Sequence, residues 1–239
     1  MQRQVVAALV LAAGRGERMG LDIPKAFVPL AGTPLVVRSL AAVAATPEVG
    51  LVVPVVAEDQ LERFGALELN GVPNLASAVA GGRERQDSMR AGMAVLPEDV
   101  EFVAVHDAAR CLVRPADISR VVAEARAYGA AILAQPARDT VKRVRDSAIE
   151  ETPPRESLWL AQTPQVFRAE LLLEGLAKAL ADGFVATDDA QLVERLGVTV
   201  RVVEGAADNV KITTPRDLAA AEAWLLSCGE PAGEPGGGA

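Results

Sequence analysis

Histidine occurs once in this 239-residue chain, as His106, and cysteine only twice. A single histidine excludes metal centres built on several imidazoles, such as helical H-E-x-x-H proteases. Cys111 and Cys228 stand far apart and in no Cys-x-x-Cys pair. That excludes a cysteine zinc site and a disulfide framework, and suits a reducing cytoplasm. Aromatic residues make up 3% of the chain, too few for a platform that stacks single-stranded bases. No run approaches the ~18 apolar residues of a membrane span. An excess of positive charge is missing as well: 24 Lys and Arg face 32 Asp and Glu, a net charge of −8. The chain is therefore expected to bind neither nucleic acid nor membrane. Any anionic ligand must be met by local basic clusters, so their positions carry the functional information.

Half the residues are apolar, ample for a core. Length and composition predict one domain over residues 1–228, followed by a Gly/Pro-rich tail, 229–239, expected to be disordered. Val5–Leu11 is a continuous apolar run ended by glycines, read as a buried parallel strand rather than the core of a signal peptide. Further strands are expected at Leu51–Val56, Leu75–Val79, Glu101–Val105, Ala130–Leu133 and Thr199–Val203. Helices are expected at Leu35–Ala45, Asp59–Phe64, Arg85–Leu96, Ile118–Tyr128 (capped by Asp117), Leu171–Leu180, Ala190–Leu196 and Leu218–Leu226. Alternating strands and helices imply βαβ units and a mostly parallel sheet. The rhythm breaks near Asp139. Alternation through Arg145, a turn at Asp146-Ser147 and a second extended stretch toward Trp159 predict a protruding β-arm over about 138–160.

Several motifs sit where such sheets bind ligands. The first strand leads into LAAGRGERMG, residues 11–20, with Pro24-Lys25 beyond. Gly14 and Gly16 let backbone N–H groups approach an anion. Met19 occupies the third glycine position of G-x-G-x-x-G, and no P-loop is present, so dinucleotide and Walker-type binding are disfavoured. Arg15, Arg18 and Lys25 cluster here in a chain with four lysines, which suits a polyphosphate. Gly81-Gly82 exposes peptide groups that can read a base or ribose, with Arg85 and Ser88 on the helix that follows. The same segment also reads as an ordinary helix cap. Asp107, in Val105-His106-Asp107-Ala108-Ala109-Arg110, is placed for Mg²⁺ or a ribose hydroxyl, with Arg110 expected to hold it. His106 reads as a satisfied, partly buried histidine rather than a catalytic one. Thr140, Arg155, Thr187 and Lys211 are uninformative singly, and Thr187 taken alone reads as a helix N-cap. As a set they can clamp a second phosphate.

The segments LAAGRGERMG, GGRERQDS, VHDAAR, ARDTVKR, LWLAQTPQVF, ATDDAQLVE and EGAADNVKIT occur in an order that resembles the 2-C-methyl-D-erythritol 4-phosphate cytidylyltransferases of the non-mevalonate isoprenoid pathway. The resemblance runs from about Val5 to Trp224. It implies a three-layer α/β nucleotidyltransferase fold of Rossmann-like type and a homodimer. It implies transfer of CMP from CTP to the polyol phosphate, with Mg²⁺, in the cytoplasm. By that resemblance Arg18 and Lys25 stabilise the α-phosphate, and Arg155 and Lys211 position the substrate phosphate, assisted by Thr140 and Thr187. Ala12, Ala13, Gly14, Gly16, Gly82, Arg85, Ser88, Asp107, Ala108 and Arg110 form the implied nucleotide set, with Asp107 the metal ligand. Cys111 stands where the family usually has proline, and Glu17 where a basic residue is frequent. Two alternatives remain at this level. One is a cytidylyltransferase for another polyol phosphate, such as ribitol 5-phosphate. The other is a catalytically silent nucleotide-binding protein.

Overall fold

The computed structural model describes residues 5–14, 16, 19–20, 23–69 and 71–229. The tail beyond Gly229 lies outside that set. Strand β1 (Val5–Ala12) is central to a seven-stranded sheet. It is followed by the short hairpin β2 (Pro29–Leu30) and β3 (Thr33–Pro34), α1 (Leu35–Ala44), β4 (Val49–Val56), α2 (Leu61–Gly65), β5 (Val79–Ala80) and α3 (Arg85–Met93). Then come β6 (Val100–Asp107), α4 (Pro115–Tyr128), β7 (Ala130–Pro136), β8 (Arg143–Arg145), β9 (Ala148–Glu151), β10 (Trp159–Arg168), α5 (Ala169–Ala181), α6 (Ala190–Glu194), β11 (Arg201–Glu204) and α7 (Pro215–Ser227). The strand order is β11-β7-β10-β6-β1-β4-β5. Every pairing is parallel except those of β10, which runs antiparallel between β6 and β7.

Helices cover both faces, giving three layers. Val6, Ala8 and Val10 of β1 point to the face packed by α1 and α4, while Ala7 and Leu9 point to the face packed by α3, α5 and α6. Both sets are fully buried, which explains why β1 reads as an unbroken apolar run. Burying a side chain such as Leu9 is worth roughly 1.5–3 kcal/mol, so register is strongly fixed. The chain leaves β1 toward β4 and β5, then returns to the other side of β1 as β6. The carboxyl ends of β1 and β6 thus flank the switch point where open α/β sheets bind ligands.

Several local expectations need correction. Helix α4 begins at Pro115, after Arg114, so Asp117 lies inside its first turn and pairs with Arg120 at 2.6 Å rather than capping it. Helix α3 ends at Met93, before Leu96. The expected third strand is reduced to a single bridge at Leu75 and the two-residue β5. Arg143–Arg145 and Ala148–Glu151 form the exposed hairpin, turned by Asp146 and Ser147 at φ 50° and 63°. The stretch at Trp159, expected to belong to the arm alone, starts β10 and enters the centre of the sheet.

Candidate active site

Loops at the β1 and β6 ends enclose a cleft of about 210 Å³. Its lining includes Ala12, Ala13 and Gly14 at the end of β1, and Gly82, Arg85 and Ser88 around the start of α3. Asp107 and Ala108 at the end of β6 join them, together with Lys25 and Lys211. Residues separated by nearly two hundred positions in sequence therefore face one space. Glu84, Arg83 and Ala109 also line it, although the motifs do not point to them.

Gly16 explains how Lys25 reaches the cleft. Its φ is 68°, and an added Cβ would lie 2.3 Å from the Lys25 Cβ. Only glycine lets the loop pass there. The loop's far end is fastened by Met19, which bonds Gly16 O through its N–H and is buried with Val28, Leu30 and Ile212. Met19 thus replaces a third glycine with an apolar anchor. Arg18, expected to act with Lys25, lies outside the described residues. The second glycine loop is equally tight. A Cβ on Gly81 would meet Ala13 Cβ at 2.6 Å and Ser88 Oγ at 2.8 Å. Ser88, almost wholly buried, accepts a hydrogen bond from Gly82 N at 3.2 Å, so its hydroxyl shapes the loop from within.

Asp107 is the electrostatic centre. Its Oδ1 accepts from Arg85 at 3.0 Å and its Oδ2 pairs with Lys211 at 2.6 Å. Burial opposes its ionisation, but Arg85 and Lys211 outweigh that and hold the carboxyl well below the usual carboxylate range. Arg110 does not hold this carboxylate, contrary to expectation. Its guanidinium turns under the loops and donates to Asn209 O at 2.8 Å and Ala161 O at 3.1 Å. Arg110 is not among the cleft-lining residues and instead steadies the segment that carries Lys211. Asn209 completes that support: it is fully buried, and its amide donates to Thr163 O and Gln162 Oε1.

Thr163 comes from an irregularity in β10, where residues 162–164 leave the ladder. Its Oγ1 accepts from Asp107 N at 3.0 Å and lies 3.1 Å from His106 Nδ1. Such irregularities re-aim side chains. His106 is fully buried beneath the cleft and is not part of its lining. Desolvation depresses its pKa to about 4, so it is neutral at pH 7. The unfolded chain takes up this proton near pH 6.5, the folded chain only near pH 4. Between those values the unfolded state binds more protons, so stability falls as pH falls. The contribution lost between pH 7 and 5 is about 2 kcal/mol. Urea midpoints should fall accordingly. His106→Asn, whose Oδ1 can replace Nδ1 as acceptor, should flatten this part of the profile. An equally steep decline in that variant would assign the effect elsewhere.

Thr140, Arg155 and Thr187 do not line the cleft. Arg155 stands in a single helical turn and donates to Arg138 O at 2.9 Å, and Thr140 is exposed. Thr187 is not the cap of α6. That position is taken by Asp189, and Asp188 Oδ1 accepts the Gln191 N–H. Cys111 is buried, and desolvation pushes its thiol up to about 12, making it an unreactive packing residue.

Residues 6–227 match the 2-C-methyl-D-erythritol 4-phosphate cytidylyltransferase family. The chain belongs to that family. A cytidylyltransferase of this name from Pelotomaculum thermopropionicum is 48% identical over 223 residues, covering 92% of this chain and 94% of that protein. Among solved structures, the 4-diphosphocytidyl-2C-methyl-D-erythritol synthase of Anaerococcus prevotii superposes with a TM-score of 0.84 at 29% identity, covering 93% of this chain and 96% of that one. The cytidylyltransferase of Thermus thermophilus does so with 0.76 at 35% identity, covering 92% and 98%. The fold expectation, a three-layer nucleotidyltransferase with a mostly parallel sheet, agrees with these structures.

Proposed function

We propose that this cytidylyltransferase moves CMP from CTP to 2-C-methyl-D-erythritol 4-phosphate, releasing pyrophosphate, in isoprenoid precursor synthesis. The observation that carries this is the convergence of two glycine loops, Asp107, Lys25 and Lys211 on one cleft at the sheet's switch point. A phosphomonoester dianion is already a nucleophile. One of its oxygens bonds to the α-phosphorus of CTP while the α–β bridging bond breaks, and the electron pair leaves with pyrophosphate. No general base is required, in keeping with a cleft lined by no histidine. The protein must neutralise charge and align two anions. Lys25, with Arg18, serves the α-phosphate, and Lys211 turns from Asp107 toward the incoming phosphate ester.

Mg²⁺ belongs to the same reading. Among the described residues no three His, Cys, Asp or Glu side chains come together. An ion held mainly by phosphate oxygens needs few protein ligands. Asp107 fits as one of them, since its Oδ2, engaged by Lys211 alone, keeps a second lone pair. The ion would supply further neutralisation of phosphate charge.

Arg155 and Thr140, both on the arm, enter through a second copy of the chain. Val144 and Ile149 of the hairpin and Leu160 nearby are each more than half exposed. An isolated hairpin is marginal in water, so a partner that covers these side chains is required. A two-fold homodimer is the economical one. The expected setting is the cytoplasm, where Cys111 and Cys228 remain free thiols.

Pyrophosphate release tests the reaction directly. CTP should be preferred over UTP and ATP, because a pocket built on the close approach of Ala13, Gly81 and Ser88 is expected to be too tight for a purine, and fixed peptide groups can read one pyrimidine edge. Among polyol phosphates, methylerythritol phosphate should exceed ribitol 5-phosphate. Comparable kcat/KM with CTP and ATP, or with both polyol phosphates, would contradict the assignment.

A further inference from the structure

Four charges from four separate segments form one line of ion pairs, three of them lining the cleft and the fourth, Asp189, buried beside it. Lys211 Nζ lies 2.6 Å from Asp107 Oδ2. Arg85 places both Nε and a terminal nitrogen 3.0 Å from Asp107 Oδ1, and its other terminal nitrogen donates to Asp189 Oδ1. The signs alternate and the four charges sum to zero.

The pairing within this line is unusual. Arginine facing a single carboxylate normally forks both oxygens with two parallel N–H bonds. Arg85 instead crowds two nitrogens onto one oxygen of Asp107, which leaves Oδ2 to Lys211. The reason is Asp189, which holds the guanidinium from the opposite side. Asp189 cannot follow if Arg85 moves. Gln165, buried in β10, donates to Asp188 Oδ2 at 2.9 Å and accepts the Ala190 N–H at 2.9 Å, pinning both neighbours. Nor is Asp189 an economical residue for stability. It is 1% exposed, among the described residues its Oδ2 has no hydrogen-bond partner, and burial pushes its carboxyl pKa up against the pull of Arg85. A half-satisfied buried carboxylate costs stability and asks for another explanation.

We propose that Asp189 is a positioning residue that holds Arg85 away from Asp107 Oδ2, so that a phosphate drawing Lys211 off this oxygen opens it to the nucleotide. This rests on reading the cleft as the site of CTP and a phosphate ester. In the absence of the ester, Lys211 covers Oδ2. When the ester recruits Lys211, Arg85 stays in place and Oδ2 becomes available to a ribose hydroxyl or to the nucleotide's metal ion. Without the charge of Asp189, Arg85 turns inward and forks both oxygens of Asp107. Oδ2 is then closed wherever Lys211 stands. Binding of the two anions is coupled through this line, and the coupling is reciprocal.

Calorimetric titration measures it. Methylerythritol phosphate is titrated into the full chain, with Mg²⁺, in the absence and presence of a CTP analogue whose α,β bridge is methylene and cannot be cleaved. The analogue should tighten ester binding by about fivefold or more. Asp189→Asn, nearly isosteric, should reduce that ratio below twofold while the analogue's own affinity stays within threefold, because without the ester Oδ2 is covered in either protein. A merely structural role would change the amount of competent protein, not this ratio. A folded Asp189→Asn protein with the original ratio overturns the proposal. So does a wild-type protein that makes product but shows no coupling. A wild-type protein that releases no pyrophosphate from CTP and methylerythritol phosphate would instead overturn the functional reading beneath it. If Asp189→Asn does not fold, Asp189→Ser addresses the same link, since it also removes the charge that holds Arg85. Loss of the ratio supports the proposal, and its persistence refutes it.

Discussion

Lys25→Ala is expected to lower kcat by on the order of 10²–10³ while CTP affinity changes little. The contrast follows from where the lysine sits. It lines the cleft beside the β1 loop, against Gly16, at the phosphate end of the proposed nucleotide site. Charge on the α-phosphate is greatest when five oxygens surround it, so a contact there stabilises the transition state more than bound CTP. A Gly16→Ala substitution should act through the same residue, because the new methyl would displace the Lys25 Cβ. Single-turnover rates and equilibrium binding of CTP separate the two effects. If Lys25→Ala retains near-normal turnover, the lysine has no part in the chemistry.

Arg155→Ala is expected to be almost as inactive, for a different reason. Arg155 does not line the cleft of its own chain. In the proposed homodimer it reaches the neighbour's site, whereas Lys25 and Lys211 serve their own. Mixed dimers of Arg155→Ala and Lys25→Ala chains would carry one site with both defects and one with neither. Activity should recover toward half of wild type per mixed dimer. Mixed dimers that are verified yet dead, or a wild-type chain active as a monomer, would confine Arg155 to its own chain.

Much of this architecture is legible in the sequence, and for a physical reason. Strands β1, β4, β6 and β7 are buried on both faces and appear as continuous apolar runs. Their order, and the glycine loops at their ends, follow from the βαβ rhythm. Strand β10 is not legible in the same way. It carries Gln162, Thr163, Pro164 and Gln165 through its buried half, and a proline there argues against a central strand. The polar side chains are buried because each finds a partner: Ala206 O, Asp107 N, Asp188 and the Ala190 N–H. Arg85 is readable as a basic group near the nucleotide. Its two acidic partners, 22 and 104 residues away, are not, because they depend on how separate loops meet. Proximity in sequence assigns Arg110 to Asp107, yet the turn after β6 carries its side chain beneath the loops. Neither pattern nor periodicity reports such directions.

The place of β10 also gives the newborn chain an order of assembly. Of its two sheet neighbours, β6 belongs to the half formed with β1, β4 and β5, and β7 to the half formed with β11. Without β10 these halves share no ladder. As the ribosome delivers the first hundred or so residues, β1, β4, β5 and β6 can already pair, and they bring together both glycine loops with Asp107. Strand β7 emerges next without a neighbour and waits until residue 168 has been made before it is clamped from one side, and until residue 204 before it is covered on the other. Lys211 arrives last of the cleft residues. The half that would hold CTP is thus complete in outline before the half that would receive the second phosphate exists, and β10 is the seam along which the two are joined.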